Sequence, residues 1–292
     1  MNGFVVLDKP EGVTSFKAVA PLRRIFNEKK VGHTGTLDPM ATGVLPVALG
    51  KAARFIDYLP DTGKAYEARF RCGVTTDTLD ITGKVISETE ANVTEEDVLA
   101  LLPRFRGTIL QTPPMYSALS VGGQRLYELA RKGVEIERDA REITIDSLEL
   151  TGVYEGEFAI AVSCSKGTYI RSLIADMGEA LGCGAVMTAL RRTRSNGFAI
   201  EEALTPEQIE ARGRAAVLPL DHPFARYAAL TVTEAQANRF RNGGALFTER
   251  LKGTPQAGTY RVYAPDGLFL GLGKIGPENT ESLTALKVIG NE

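Results

Sequence analysis

The chain has 292 residues, of which 43% are hydrophobic and 24% charged. This length predicts roughly two folded domains at about 150 residues each. The longest apolar stretches, such as residues 4–7 and 44–49, fall far short of the roughly 20 residues of a membrane helix, so we expect no membrane span. The N-terminal residues show neither a basic leader nor a cleavage site, which predicts a cytoplasmic protein.

Charge is unevenly distributed along the chain. The 34 basic and 36 acidic residues give a net charge of -2, which by itself does not indicate a polyanionic partner. Residues 1–60, 101–141 and 161–200 are each net positive by three charges, whereas residues 71–100 and 142–160 are each net negative by five. Such segments can fold so that one face of the protein is basic and the opposite face acidic. Charged residues scattered over the whole surface would give the same net charge for each segment. Charge therefore leaves nucleic-acid binding open.

Cysteine and histidine counts limit the chemistry. Wide spacing predicts reduced, mostly buried thiols at the three cysteines, which are Cys72, Cys164 and Cys183. The chain has two histidines, His33 and His222, which argues against a zinc site. No lysine of a phosphate-binding loop follows the glycines of residues 32–43, so a nucleoside triphosphate site is not supported. Carboxylates, hydroxyls, Lys or Arg must carry the chemistry.

Periodicity and turn residues predict the elements in chain order. A strand over residues 3–7 precedes a helix capped by Thr14 or Ser15. The Gly- and Pro-rich residues 31–49 predict a structured loop, and alternation over residues 65–74 predicts a half-buried strand. Further elements are a helix at 94–102, strands at 143–150 and 157–164, a helix at 168–181, and short strands at 260–263, 268–273 and 283–288. Together they favour a mixed α+β fold that ends in a small β-barrel.

The segment GHTGTLDPMATG at residues 32–43 contains the strongest candidate for chemistry. Its glycines permit close backbone approach to a ligand, and Asp38 is the single carboxylate within residues 31–49. An isolated Asp before Pro is most often an ordinary turn former, so both interpretations stay open at this point.

Several motifs resemble those of the TruB family of pseudouridine synthases, and they occur in the family's order. They are LDKPEGVTS at 7–15, GHTGTLDPMATGVLP at 32–46, KAYEARFRCGVTTDTLDITG at 64–83, QTPPMYSAL at 111–119, CSKGTYIRSLIADMG at 164–178 and GAVMTALRRTRSNGF at 184–198. The resemblance covers residues 3 to about 223. The later segment VYAPDGLFLGLGKI is more weakly similar to the PUA-like RNA-binding domain of family members.

This resemblance implies an architecture. The fold is expected to be the α+β pseudouridine synthase fold, with a mixed, mainly antiparallel sheet flanked by helices and a small C-terminal β-barrel. The catalytic domain is expected over residues 1–224, with an RNA-contacting insertion at about 111–141. A PUA-like RNA-binding domain is expected over residues 225–292.

It also implies an activity. The protein is expected to convert uridine 55 in the T loop of tRNA to pseudouridine without a cofactor, as a monomer that requires no protein partner. Asp38 would attack either the ribose C1′ or the uracil C6. Tyr66 would stack on the flipped-out uracil and could act in proton removal at C5, and Arg171 would hold Asp38 ionised and oriented. Without the resemblance, Tyr66 reads as an inward strand aromatic and Arg171 as a polar residue on an amphipathic helix.

The remaining expected site residues surround that centre. Tyr169 and Leu190 would line the uracil pocket, and His33 would occupy the space that the flipped bases vacate. Three further polar residues lie in matched motifs and would bind substrate or support the site: Lys9, Lys64 and Asp80. Four basic residues are expected to contact RNA phosphates: Lys166, Arg191, Arg192 and Arg194.

Two other classes of protein stay open. A non-catalytic RNA-binding or tRNA-folding protein of the same fold would keep the basic segments, but it would not need Asp38 together with Tyr66 and Arg171. A carboxylate-based glycosidase would also break a C1′ bond, but it needs a second carboxylate, and the motifs show none beside Asp38.

Overall fold

The computed structural model describes residues 1–253 and 255–290. In chain order its elements are β1 (Gly3–Lys9), α1 (Ser15–Ile25), β2 (Val31–His33), β3 (Thr42–Leu49), β4 (Lys64–Cys72), β5 (Val74–Thr76), β6 (Val85–Glu88), α2 (Glu95–Leu101), β7 (Gly107–Gln111), β8 (Ser120–Val121), β9 (Gln124–Arg125), α3 (Leu126–Arg131), β10 (Arg141–Tyr154), β11 (Glu157–Cys164), α4 (Ile170–Ala180), β12 (Ala185–Ser195), β13 (Phe198–Ala199), α5 (Pro206–Arg212), β14 (Ala228–Thr231), α6 (Glu234–Arg241), β15 (Leu246–Phe247), β16 (Gly258–Tyr263), β17 (Phe269–Ile275) and β18 (Ser282–Val288). None of the helices among the described residues is long and apolar enough to span a bilayer.

The large sheet is mixed. Its strand order is β1-β3-β12-β4-β11-β10-β7, with β2 paired to β3 and β13 to β12. All of these pairs are antiparallel except β3 with β12, which meet in parallel only where Arg191 lies opposite Thr42 and Arg192 opposite Gly43. Gly43 has a positive φ of 96°, and a Cβ there would collide with the Arg192 carbonyl oxygen. Glycine thus permits the contact that brings the start of β3 against β12.

Side-chain alternation gives this sheet two different faces. The helical face is the one on which Leu7 of β1 and Tyr66 and Phe70 of β4 share a hydrophobic core with α1 and α4. On the opposite face, β1 and β3 are covered by a second apolar cluster, whereas β4 exposes Glu67 and Arg69. Polar groups on the helical face therefore lie in an interior, and those on the opposite face of β4 meet solvent.

The C-terminal part forms a second sheet with the order β14-β16-β17-β18-β15. This sheet curls into half of a barrel and has a hydrophobic cluster of its own, which includes Val262, Leu270 and Phe240. Another cluster joins the two parts, because the Phe55 ring lies 6.1 Å from both the Phe224 and the Phe269 rings. The predicted α+β fold with a small C-terminal β-barrel is confirmed, and the barrel takes the form of this curled half-barrel sheet.

The prediction of a loop at residues 31–49 is wrong, because the segment contains β2 and β3. Gly43 and Pro46 are residues that usually interrupt strands. Burial overrides that preference, since every residue of β3 after Thr42 is buried between its neighbouring strands. The central strand β12 was not predicted as an element at all; it lies within the motif GAVMTALRRTRSNGF.

Candidate active site

The catalytic loop, defined here as residues 34–41, joins β2 to β3 and carries Asp38. One anchor is Ser15, which is buried at the start of α1. Its hydroxyl donates to the Leu37 carbonyl at 3.0 Å and accepts from the Leu37 N–H at 2.9 Å. Thr14 caps the helix by accepting from the Lys17 N–H, so the Ser15 hydroxyl is free for the loop. Sequence reasoning considered Ser15 only as a helix cap.

Lys9 is a second anchor. It is fully buried, and its ammonium donates to the carbonyls of Pro10 at 2.8 Å, Val13 at 2.7 Å and Pro39 at 3.1 Å. Burial lowers its pKa to about 8, although the nearby Asp38 carboxylate opposes the change. All three ammonium hydrogens are committed to backbone oxygens. Lys9 therefore supports the loop from within, which is the second of the two roles expected for it.

Arg192 is the third anchor and is also fully buried. Its guanidinium donates from Nε to the Val44 carbonyl at 2.8 Å, from Nη2 to the Gly35 carbonyl at 3.2 Å and from Nη1 to the Thr36 carbonyl at 3.4 Å. A side chain enclosed in this way cannot reach a phosphate on the surface. The expectation of a phosphate contact at Arg192 is therefore corrected.

Asp38 and Arg171 form the centre of the site. Arg171 Nε lies 2.9 Å from Asp38 Oδ2, and the Arg171 side chain is 5% exposed against 35% for Asp38. Arg171 is the second residue of α4. Its guanidinium also donates to the carbonyls of Thr78 and Tyr116, each at 2.8 Å. These two carbonyls hold the Arg171 guanidinium in place, whereas the Asp38 carboxylate remains accessible to an incoming molecule.

A second carboxylate lies behind this ion pair. Asp80 is buried, and its Oδ2 is 3.8 Å from Arg171 Nε. Its Oδ1 accepts hydrogen bonds from the Thr78 hydroxyl at 3.0 Å and from the Thr82 N–H at 3.0 Å and hydroxyl at 2.5 Å. The motifs did not reveal this pairing of carboxylates. Because Asp80 is buried behind Arg171, it faces the guanidinium and not the open side of Asp38.

The surroundings of Asp38 act on its pKa in opposing ways. Burial raises the pKa of the Asp38 carboxyl, the Arg171 guanidinium counteracts the rise, and the Asp80 carboxylate adds to it. Lys9 makes a smaller contribution in the same direction as Arg171. The ionised form of Asp38 therefore depends on the Arg171 contact.

Tyr66 lies on β4 opposite Arg192 and on the helical face. It is 6% exposed, and burial raises its pKa to about 12, an effect that the adjacent Arg192 guanidinium opposes. Leu190, two residues before Arg192 on the same strand, is 8% exposed and also faces the core. A buried aromatic ring and an aliphatic side chain are thus adjacent on neighbouring strands.

Tyr169 precedes α4 and is held by a residue that sequence reasoning did not single out. Gln111 is buried, accepts from the Tyr169 N–H at 2.8 Å and donates to the Tyr169 carbonyl at 3.1 Å. Burial raises the pKa of the Tyr169 hydroxyl. The motif QTPPMYSAL contains Gln111, but nothing in its local pattern indicates a partner 58 residues away.

His33 and Lys64 lie at the margin of the site. His33 ends β2 just before the catalytic loop and is half-buried, and burial lowers the pKa of its imidazole. Lys64 begins β4, where burial lowers the pKa of its ammonium and the Arg192 charge lowers it further. Both side chains are close enough to Arg192 for its charge to favour their neutral forms.

The structure does not bring three of the expected phosphate contacts to this centre. Arg191 lies on the opposite face, where its guanidinium pairs with the Asp8 carboxylate at 2.8 and 3.1 Å. Arg194 donates to the Ser163 hydroxyl at 2.9 Å. Lys166 is 78% exposed and lies 3.2 Å from Asp61, in the turn before α4.

Comparison with known proteins gives three matching family models. The model described as "TruB family pseudouridylate synthase (N terminal domain)" matches residues 23–170. The model "tRNA pseudouridylate synthase B C-terminal domain" matches residues 171–224, and "Pseudouridine synthase II TruB, C-terminal" matches residues 228–280.

Curated relatives and solved structures agree with these models. The "tRNA pseudouridine synthase B" of Clostridium perfringens is 45% identical over 94% of this chain and 95% of the relative, and that of Pseudomonas fluorescens is 44% identical over 95% and 93%. A chain in the crystal structure of a Cbf5-Nop10-Gar1 complex superposes with a TM-score of 0.76 and 27% identity, over 98% of this chain and 84% of that chain. The chain therefore belongs to the TruB family of pseudouridylate synthases.

Proposed function

We propose that this protein converts uridine 55 in the T loop of tRNA to pseudouridine, with Asp38 as the nucleophile. Relatives at 43–45% identity that cover most of the chain are named for tRNA pseudouridine synthesis, which supports tRNA as the substrate. The T loop and position 55 follow from the motif resemblance described above.

The observation that carries this proposal is the Asp38–Arg171 ion pair. Its 2.9 Å contact joins a partly exposed carboxylate to a guanidinium that is otherwise enclosed. Attack by Asp38 at C1′ or C6 accompanies cleavage of the bond between C1′ and N1. The base then turns, a bond forms between C1′ and C5, and the bond from Asp38 to the substrate breaks, which restores the carboxylate. The C5 proton leaves and N1 gains a proton. No atom is added or lost, so the reaction is an isomerisation.

Neighbouring side chains suit a flipped uracil. Tyr66 offers a π face for stacking, and Leu190 and Tyr169 would complete the walls of a pocket. The Tyr66 hydroxyl is the group that we propose for proton removal at C5. His33, at the entrance to the catalytic loop, would fill the space left in the RNA by the flipped bases.

The rest of the chain would hold the tRNA. We propose residues 1–224 as the catalytic domain, with the insertion at about 111–141 against the RNA, and residues 225–292 as the PUA-like domain. The limits of the matched family models and the separate hydrophobic cluster of the second sheet support this division. Lys166, which is largely exposed, would exchange its Asp61 partner for a phosphate.

The test is the Asp38→Asn substitution, assayed by mass-resolved mapping of pseudouridine in T-loop tRNA with pure protein and no added cofactor. We expect no product at position 55, with tRNA binding largely kept, because the amide retains the shape of the carboxylate but not its nucleophilicity. Asp57→Asn, at an exposed position outside the site, is the matched control and should be fully active.

Each outcome bears on one part of the proposal. Full activity of Asp38→Asn would rule out Asp38 as the nucleophile. Product at another uridine would rule out position 55. A wild-type protein that binds tRNA but forms no pseudouridine would favour a non-catalytic RNA-binding or tRNA-folding role.

A further inference from the structure

Gln111 is a buried polar side chain that the proposed reaction does not use. It is the last residue of β7 and is 2% exposed. Its amide oxygen accepts from the Tyr169 N–H at 2.8 Å, and its amide nitrogen donates to the Tyr169 carbonyl at 3.1 Å. Burying an amide is costly unless its donor and acceptor are bonded. Here both bond to the backbone of one residue, which lies 58 positions later in the chain.

Tyr169 stands at a position where its residue type does not suit the helix that follows. It is the N-cap residue of α4, and its side chain makes no capping hydrogen bond. Ser, Thr, Asn or Asp is the usual residue there, because its side chain bonds the first turn of the helix. The Gln111 amide instead pairs with the Tyr169 N–H and carbonyl as a neighbouring strand would. A residue that breaks a local rule and is supported from elsewhere in the fold points to a functional role.

A further hydrogen bond ties the same part of α4 to the segment that follows β7. Arg171, two residues after Tyr169, donates from Nη2 to the Tyr116 carbonyl at 2.8 Å, and its Nε lies 2.9 Å from Asp38 Oδ2. Tyr169 and the partner of Asp38 therefore share one short stretch of backbone. Because Arg171 has side-chain anchors of its own, the contact with Gln111 bears mainly on Tyr169.

We infer that Gln111 is a positioning residue that fixes the Tyr169 ring as a wall of the uracil pocket by pairing with the Tyr169 backbone. The inference rests on the proposed function, in which Tyr169 lines that pocket. Methionine at position 111 would fill a similar space, but it could neither donate to the Tyr169 carbonyl nor accept well from the Tyr169 N–H. A misplacement of about 1 Å at a reacting base can cost about 100-fold in rate.

The experiment compares Gln111→Met with wild type in single-turnover pseudouridine formation on tRNA. We expect the rate constant to fall about 100-fold while the Kd for tRNA stays within about twofold, because phosphate contacts are not altered. Gln208→Met, at an exposed position on α5, is the matched control. It also removes a side-chain amide that accepts from a backbone N–H, that of Thr205 at 3.0 Å, and it should leave the rate unchanged. Thermal unfolding of each variant reports its folded fraction.

A second variant, Gln111→Glu, tests the hydrogen bonds themselves and serves if the methionine protein does not fold. A protonated carboxyl group can donate and accept as the amide does, whereas a carboxylate can only accept. Burial favours the protonated form. We expect the ratio of the Gln111→Glu rate to the wild-type rate to fall as pH rises, and the Gln111→Met ratio to stay constant. Taking the ratio removes the pH dependence that all three proteins share.

A double-mutant cycle with Tyr169→Leu shows whether Gln111 acts through the tyrosine ring. Leucine leaves the backbone partners of Gln111 in place but removes the ring. If Gln111 serves to position that ring, Gln111→Met should cost less than about 10-fold in the Tyr169→Leu protein.

Three results would overturn the inference: a Gln111→Met rate within about threefold of wild type, an equal loss with and without the Tyr169 ring, or weaker tRNA binding at an unchanged rate. An inactive wild type would instead refute the proposed function and remove the basis of this inference with it. An active wild type with unaffected Gln111 variants refutes the inference alone.

Discussion

Arg191 and Arg192 are neighbours on β12, yet they lie on opposite faces of the sheet and have different environments. Arg192 is enclosed on the helical face with backbone carbonyls around it, whereas Arg191 is 38% exposed and pairs with Asp8 on the opposite face. Water screens the second pair, but it does not reach the first charge. Charges of one sign and type are thus buried beside the candidate site on one face of this sheet and meet solvent on the other.

The largest effect is expected at Arg171, on the helical face. Arg171→Met removes the cation between Asp38 and Asp80, so pseudouridine formation should fall by at least about 1,000-fold, a loss of about 4 kcal/mol of transition-state stabilisation. The pKa of Asp38, already raised by burial, should rise further without the guanidinium. Activity that requires ionised Asp38 should then appear only at higher pH. The rate–pH profile measures this shift.

A matched control for that experiment is Arg212→Met, at the exposed end of α5. It removes the same charge by the same substitution and should leave the profile unchanged. If the low-pH side of the rate–pH profile does not shift in Arg171→Met, the pKa of Asp38 does not depend on Arg171.

An intermediate effect is expected at Lys9, also on the helical face. Burial lowers its pKa from 10.5 to about 8, so between these pH values the unfolded chain binds a proton that the folded chain does not. The free energy of unfolding should therefore rise with pH across this window, by at most about 3 kcal/mol. Lys9→Met should lack this rise. Urea unfolding at several pH values measures it, with the exposed Lys84→Met as the control.

The smallest effect is expected on the opposite face. Arg191→Gln breaks the Asp8 pair, whose side chains are 38% and 23% exposed, so the free energy of unfolding should fall by no more than about 1 kcal/mol. The loss should shrink further at high salt. A larger loss in the free energy of unfolding would contradict the expected contrast between the two faces of the sheet. A clear fall in the salt dependence of tRNA binding would indicate that Arg191 contacts a phosphate.

Much of the fold was predictable from local patterns. Alternation over residues 65–74 predicted β4, and the helix predicted at 94–102 is α2, which begins with reciprocal hydrogen bonds between Thr94 and Asp97. The strand β3 was not predictable in this way, because Gly43 and Pro46 resemble loop residues. Its stability comes from burial between β1 and β12, which no local pattern records.

The candidate site was predictable in part. The motifs identified Asp38, Tyr66 and Arg171 as a set, and the structure joins Asp38 to Arg171 directly. They did not distinguish contacts with substrate from internal supports. Lys9 and Arg192 are basic residues in matched motifs, and only their burial among carbonyls shows that they hold the catalytic loop.

By itself, the sequence determined the family and the fold class and indicated Asp38 as the candidate nucleophile, because these depend on residue types in a fixed order. Only the tertiary structure decided the orientation of each charge. Arg191 and Arg192 are adjacent and identical in type, and strand alternation sends one outward and the other into the site. The role of each arginine then depends on its burial and on the charged groups around it, and both are properties of the folded chain.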